Sequence, residues 1–138
     1  IMDGLIFLFN WFQMEDTDKF NDPETPVDEL MKVIRHRAEK LEEHFGYKVP
    51  PYEEELLNML GYMSLDMGYP ERSLAFFLLC IEYFPLSVNA YDSLSEFYVA
   101  QSDFENALKY VSIAFELSGS EYHKKKMTEY KEQTAPVK

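Results

Sequence analysis

Apolar residues in this chain recur at intervals of three and four, the helical spacing, and the breaks in that spacing divide the chain into a string of helices. Residues 2–13 predict a first helix that is apolar almost all round, with Leu5, Phe7, Leu8, Phe9, Trp11 and Phe12 crowded into little more than two turns. A helix apolar on every side is buried on every side, so these six residues are a candidate docking helix. The polar stretch from Glu15 to Thr25, with Pro23 in it, reads as a loop. Thr25-Pro26 then opens a second helix that runs to about Phe45. Its apolar stripe is Leu30, Val33, Ile34, Ala38 and Leu41, with Arg37 as a polar interruption. Gly46 is its natural stop, and Val49-Pro50-Pro51 predicts a stiff extended connector.

From Glu53 onward the pattern repeats itself. The row Leu57, Leu60, Gly61, Gly68, Ser73, Phe77, Cys80 and Pro85, shifted by 34 positions, falls on Tyr91, Leu94, Ser95, Ser102, Ala107, Val111, Ala114 and Gly119. Leu60 and Leu94, Glu71 and Glu105, Leu74 and Leu108, and Glu82 and Glu116 are identical across that shift. The spacing resembles that of the tetratricopeptide repeat, a helix–turn–helix unit of the same length. The residue types have packing reasons. Gly61 and Ser95 are small where two helices come closest, and Ser73, Cys80, Ala107 and Ala114 are small on the helix opposite. Leu60, Leu94, Phe77, Val111 and Tyr98 fill the space between. Met67-Gly68-Tyr69-Pro70 and Gln101-Ser102-Asp103-Phe104 predict tight turns, Pro70 entering its helix at the first position, and Pro85 ends the first unit. Ser120 caps a last helix reaching to about Gln133, whose His123, Lys124, Lys125, Lys126, Glu129, Lys131 and Glu132 suit a polar outer cap; the tail from Thr134 is expected to fray. The expected fold class is therefore all-α, a right-handed helical array of tetratricopeptide type. Residues 1–52 form an N-terminal helical pair and linker, and 53–138 hold two repeat units (54–87 and 88–121) and the capping helix, together one domain.

Charge narrows the range of partners. Thirteen basic residues face twenty-five acidic ones, a net charge of −12, which disfavours nucleic acid and anionic membrane surfaces. A basic or neutral protein partner is allowed, although most of this charge is expected to be a solvated surface. The apolar opening is short, carries Asp3 and Asn10, and has neither a basic lead-in nor a small-residue cleavage site, so neither a membrane span nor a signal peptide is expected. A chain starting on Ile1 is expected to be an excised piece of something longer. Cys80 is the single cysteine, which excludes an intramolecular disulfide and a zinc site of several cysteines.

No catalytic residue, cofactor or metal is assigned. There is no Gly-x-Ser-x-Gly elbow and no glycine-rich phosphate loop. His36, His44 and His123 are dispersed and are expected to be surface or half-buried, and Cys80 is expected to be a buried inert thiol. Glu53-Glu54-Glu55 sit where a helix starts and complement its dipole. The candidate site is the groove lined by the first helix of each unit, where Asn58, Tyr62, Leu65 and Asp66 have Asp92, Glu96, Val99 and Ala100 as counterparts. Repeats that grip an acidic chain terminus need Lys, Arg and Asn at such places. Here Tyr, Asp and Glu predominate, which suits a basic or apolar peptide or a helix of a neighbouring domain.

The order Asp3-Gly4-Leu5-x-Phe7-x-Phe9, a proline-containing linker, Phe45-Gly46-Tyr47, Pro50-Pro51 and Leu57-x-x-Leu60-Gly61-Tyr62 before two repeat units resembles the C-terminal extension of bacterial α/β-hydrolase esterases, the group that includes siderophore esterase relatives. That resemblance implies a non-catalytic accessory domain, whose catalytic serine, acid and histidine lie upstream and match no residue here. It implies that the first helix leaves the hydrolase domain and anchors the repeat unit beside the active-site face, and it points to a periplasmic or envelope setting. The expected partner is another protein or the parent's own catalytic domain, with self-association through the first helix as a second outcome. The alternative is a free-standing adaptor that holds a basic or apolar peptide in the groove.

Overall fold

A computed structural model of the chain describes residues 24–134, among which every regular element is a helix. The candidate docking residues Leu5, Phe7, Leu8, Phe9, Trp11 and Phe12 lie outside the described residues. The chain divides into two compact units, Ile1–Glu53 and Glu54–Lys138.

In the first unit, helix α1 spans Val27–Phe45. Pro26 sits at its N-cap with extended backbone, and its carbonyl accepts the first helical N–H groups, from Glu29 and Leu30. Leu30, Ile34, Arg37 and Leu41 are its buried stripe. Arg37, expected as an interruption, is 2% exposed and buried as deeply as its apolar neighbours. The helix stops where Gly46 turns left-handed (φ 79°) and its N–H caps the Glu42 carbonyl at 2.8 Å.

The second unit contains α2 (Glu54–Asp66), α3 (Pro70–Tyr83), α4 (Val88–Ala100), α5 (Phe104–Ser118) and α6 (Glu121–Thr134). Each helix packs on the next, and α2 also touches α4. The α2–α3 and α4–α5 hairpins close through the same turn. Tyr69 N–H reaches back to Ser64 C=O (2.8 Å) and Gly68 N–H to Leu65 C=O (3.1 Å); 34 residues on, Asp103 N–H bonds Tyr98 C=O (2.9 Å) and Ser102 N–H bonds Val99 C=O (2.9 Å). This double bond satisfies carbonyls that the helix end would otherwise orphan, and it needs a left-handed residue in the middle. Gly68 supplies it at φ 86°, and Ser102 adopts it at φ 59°. Pro70 then occupies the first turn of α3, and Asp103 caps α5 by accepting from Asn106 N–H at 3.1 Å. Ser87 caps α4 through Ala90 N–H at 3.1 Å, and its own hydroxyl donates to the Glu54 carboxylate.

Within each hairpin the helices meet at the small residues. A Cβ on Gly61 would come within 2.8 Å of three carbons of the Phe77 ring, so that ring lies against bare backbone. Beside it the Ser73 hydroxyl, on α3, donates to Gly61 C=O on α2 at 2.7 Å. At the equivalent pair in the next hairpin the direction reverses, and Ser95 on α4 donates to Ala107 C=O on α5 at 2.8 Å. All four residues of these pairs are buried, and Ser73, Ser95 and Ala107 are 0% exposed. Around them lie two apolar clusters, Phe77 with Leu94 and Phe97, and Ala107 with Val111 and Tyr130. Aromatic rings run edge to face from Tyr62 to Phe77 (5.0 Å), Phe97 (6.2 Å) and Tyr98 (5.2 Å), ending in a stack of Tyr98 on Tyr110 at 5.6 Å.

Two substitutions test this packing by urea unfolding. Gly61→Ala is expected to destabilise by about 1–3 kcal/mol, since a rigid ring blocks the new methyl. Ser102→Gly is expected to stabilise by about 1 kcal/mol by relieving its left-handed backbone.

Candidate functional site

The side chains that meet on one face of the second unit come from α2, α4 and α6 and from the last residue of α5. Tyr62 of α2 donates its phenol to Glu96 Oε2 of α4 at 2.6 Å. Lys126 of α6 approaches Glu96 Oε1 at 3.2 Å and Asp92 Oδ1 at 3.4 Å, with its side chain only 15% exposed. Its ammonium also lies 4.4 Å from the centre of the Tyr122 ring. His123 Nε2 stands 3.4 Å from the same Asp92 oxygen, and its Nδ1 shares a hydrogen bond with Ser118 Oγ at 3.0 Å. A continuous polar lattice thus runs Tyr62–Glu96–Lys126–Asp92–His123–Ser118.

Two links in that lattice, Tyr62 to Glu96 and Asp92 to Lys126, join residues 34 apart. Equivalent positions of neighbouring units therefore face each other, and α6 occupies the place that α2 and α4 hold in the units before it. The sequence suits α6 to a polar outer cap, with His123 and Lys126 among its polar residues. In the structure His123 and Tyr130 are buried, and Lys126 turns inward onto the acidic pair. The signal was in the register: Lys126 follows Asp92, and Tyr130 follows Glu96, by the same interval that relates the earlier helices.

The predicted groove residues divide into three groups. Tyr62, Asp92 and Glu96 belong to the lattice. Leu65 and Val99 pack against the Phe77 and the Val111 clusters respectively, contributing to the core. Asp66 and Ala100 are exposed, and Asn58 is half-buried with its Oδ1 enclosed and without a hydrogen-bond partner. Of the histidines, His36 and His44 are exposed, while His123 is 7% exposed.

Ionisation follows from these contacts. Burial, helped by the bond to Glu96, pushes the Tyr62 phenol well above its ordinary value. Burial alone would lower the Lys126 ammonium, but Tyr122 and the Asp92 and Glu96 carboxylates override it and hold the pKa above the ordinary lysine range. Cys80 is pushed up to about 12 by burial and by the nearby carboxylates of Glu54 and Glu55, and its thiol donates weakly to Glu54 C=O at 3.7 Å. It is a thiol rather than a thiolate at neutral pH, and so a poor nucleophile.

Ser118, His123 and Asp92 stand in the order of a hydrolytic serine–imidazole–carboxylate relay, which sequence reasoning did not anticipate. Other contacts account for the serine and the carboxylate. The Ser118 hydroxyl accepts Ser120 N–H at 3.1 Å, tying down the α5–α6 turn, and the Asp92 carboxylate is shared with Lys126. Ser120 in turn caps α6 by accepting Tyr122 N–H at 3.2 Å. Among the described residues no group of three or more His, Cys, Asp or Glu side chains is placed to hold a metal ion, and no helix is long and apolar enough to cross a membrane. No protein-family profile and no curated protein sequence matches this chain.

Two measurements check the electrostatics. The Tyr62 and Lys126 protons are held more tightly in the folded chain than in the unfolded one, so the stability they confer is full below the unfolded values of about 10 and 10.4 and falls as pH rises beyond them. The stability gap between wild type and Tyr62→Phe is therefore expected to narrow between pH 8 and pH 11 in urea titrations. Cys80 is expected to resist a disulfide reagent at pH 8 in the native chain and to react promptly once unfolded in denaturant.

Proposed function

We propose that this chain is a non-catalytic accessory domain of tetratricopeptide type, the C-terminal part of an α/β-hydrolase esterase, that works in domain docking or protein–protein interaction. The observation that carries the array reading is the recurrence of individual contacts at one interval. The hairpin turn, the hydroxyl-to-carbonyl clamp and the face-to-face pairs Tyr62–Glu96 and Asp92–Lys126 all repeat or connect at 34 residues. Such units bury a continuous core only by stacking, and stacked helical hairpins commonly serve as binding scaffolds. The parentage rests on the sequence likeness around Asp3-Gly4-Leu5 and Leu57-x-x-Leu60-Gly61-Tyr62.

The internal charge pairing bears on the rival reading. A basic peptide lying over Asp92 and Glu96 would have to displace Lys126, whose ammonium already serves both carboxylates. That occupant costs the groove much of its attraction for a cationic ligand.

An activated-ester assay on the chain is the direct test. No turnover above the buffer rate is expected. Hydrolysis that disappears in Ser118→Ala would overturn the non-catalytic reading and make the Ser118–His123–Asp92 relay an active site. A genomic reading frame that continues upstream of Ile1 into a Gly-x-Ser-x-Gly segment is the expected result for the parentage, and a start codon at Met2 would defeat it.

A further inference from the structure

Helix α2 carries a second feature, on a stripe beside the Tyr62 lattice. Met59, Met63 and Met67 follow one another at intervals of four, and they are 49%, 49% and 55% exposed. Met67 N–H bonds Met63 C=O at 3.0 Å, so the third methionine continues the helical row past the last residue of α2. The three side chains form a ridge with a rise of about 12 Å between the first and last Cα. Exposed apolar side chains set singly need no explanation, but a contiguous row of one residue type does. Methionine is the unbranched, polarizable side chain that adapts to differently shaped apolar partners.

The charge around the ridge has one sign. Glu55, one turn before Met59, and Asp66, three residues after Met63, are exposed, as is Glu71 beyond the turn. Between Lys48 and Lys109 the only basic residue is Arg72, and Arg72 is 7% exposed. The ridge thus lies in a field of carboxylates with no accessible cation on α2, α3 or α4. This differs from the Asp92–Glu96 pair, whose charge is met from within by Lys126.

We propose that the Met59–Met63–Met67 ridge is the docking surface for a basic amphipathic helix of a partner protein. Apolar side chains at i, i+3, i+4 and i+7 on that helix would lie along the methionines, and its Lys and Arg would reach Glu55, Asp66 and Glu71. The carboxylates set the orientation and the rate of encounter, and the ridge supplies the apolar burial. The proposal rests on the interaction-domain reading and is independent of the esterase parentage.

Fluorescence anisotropy with three labelled peptides of equal length tests it: a Leu/Lys amphipathic helix, the same helix with Glu for Lys, and a proline-broken Leu/Lys version. Only the first is expected to bind, more weakly as salt rises, and the combined Met59→Gln, Met63→Gln and Met67→Gln variant is expected to lose roughly tenfold or more in affinity. In the wild-type chain, which needs no folded variant, the methyl NMR signals of Met59, Met63 and Met67 are expected to shift on titration while that of Met127, packed beside Val111, stays in place. Absence of binding, equal binding of the Glu peptide, or unmoved ridge methyls would each overturn the proposal. None of these results alters the ester assay or the 34-residue register, so failure here is distinguishable from failure of the array reading.

Discussion

The second unit depends on how closely two helix backbones approach at Gly61. With no Cβ there, the Phe77 ring lies directly on the α2 backbone, and the Ser73 hydroxyl can reach the Gly61 carbonyl. A larger residue would separate the helices and lose the ring contact and the hydrogen bond together. Dispersion falls off within an ångström of contact, so such a gap is felt by every atom along the seam. The aromatic chain from Tyr62 to Tyr110 extends this contact into the next hairpin, which couples the first close approach to the second.

Polar groups complete what the apolar seam begins. Ser73 and Ser95 are wholly buried, yet each hydroxyl has a carbonyl to serve, so their enclosure carries no orphaned donor. On the open face, Lys126 offsets the repulsion of Asp92 and Glu96, two carboxylates one helical turn apart on α4. The last helix thereby holds the unit together electrostatically as well as covering the Val111 cluster with Tyr130.

Much of this was legible in the residues. Pro26, Gly46, Pro70, Pro85 and Gly119 punctuate the helices because their backbone chemistry permits little else, and the boundaries fall where they stand. The small residues at Gly61, Ser73, Ser95 and Ala107 were recognisable as points of close approach, although the direction of each hydroxyl bond was not. That direction depends on which helix carries the serine and on an axial offset that only coordinates supply. Arg37, the polar member of its helix's stripe, is buried with that stripe. His123, expected at the surface or half-buried, is 7% exposed, because an ionisable side chain reads as solvated until the groups that enclose it are known. The acidic groove looked available for the same reason. Asp92 and Glu96 are close to Lys126 in space but 34 and 30 residues from it in the chain.

The reversed serine clamp also limits how these units could be shuffled by recombination. A crossover at the equivalent turns would join the first helix of one unit to the second helix of the other. One product would set Gly61 against Ala107, with no hydroxyl to bridge the seam; the reciprocal product would set Ser95 against Ser73, with two hydroxyls where each native hairpin has one. Similar as the two hairpins are in outline, each is the working counterpart only of its own partner helix, and neither half is a spare for the other.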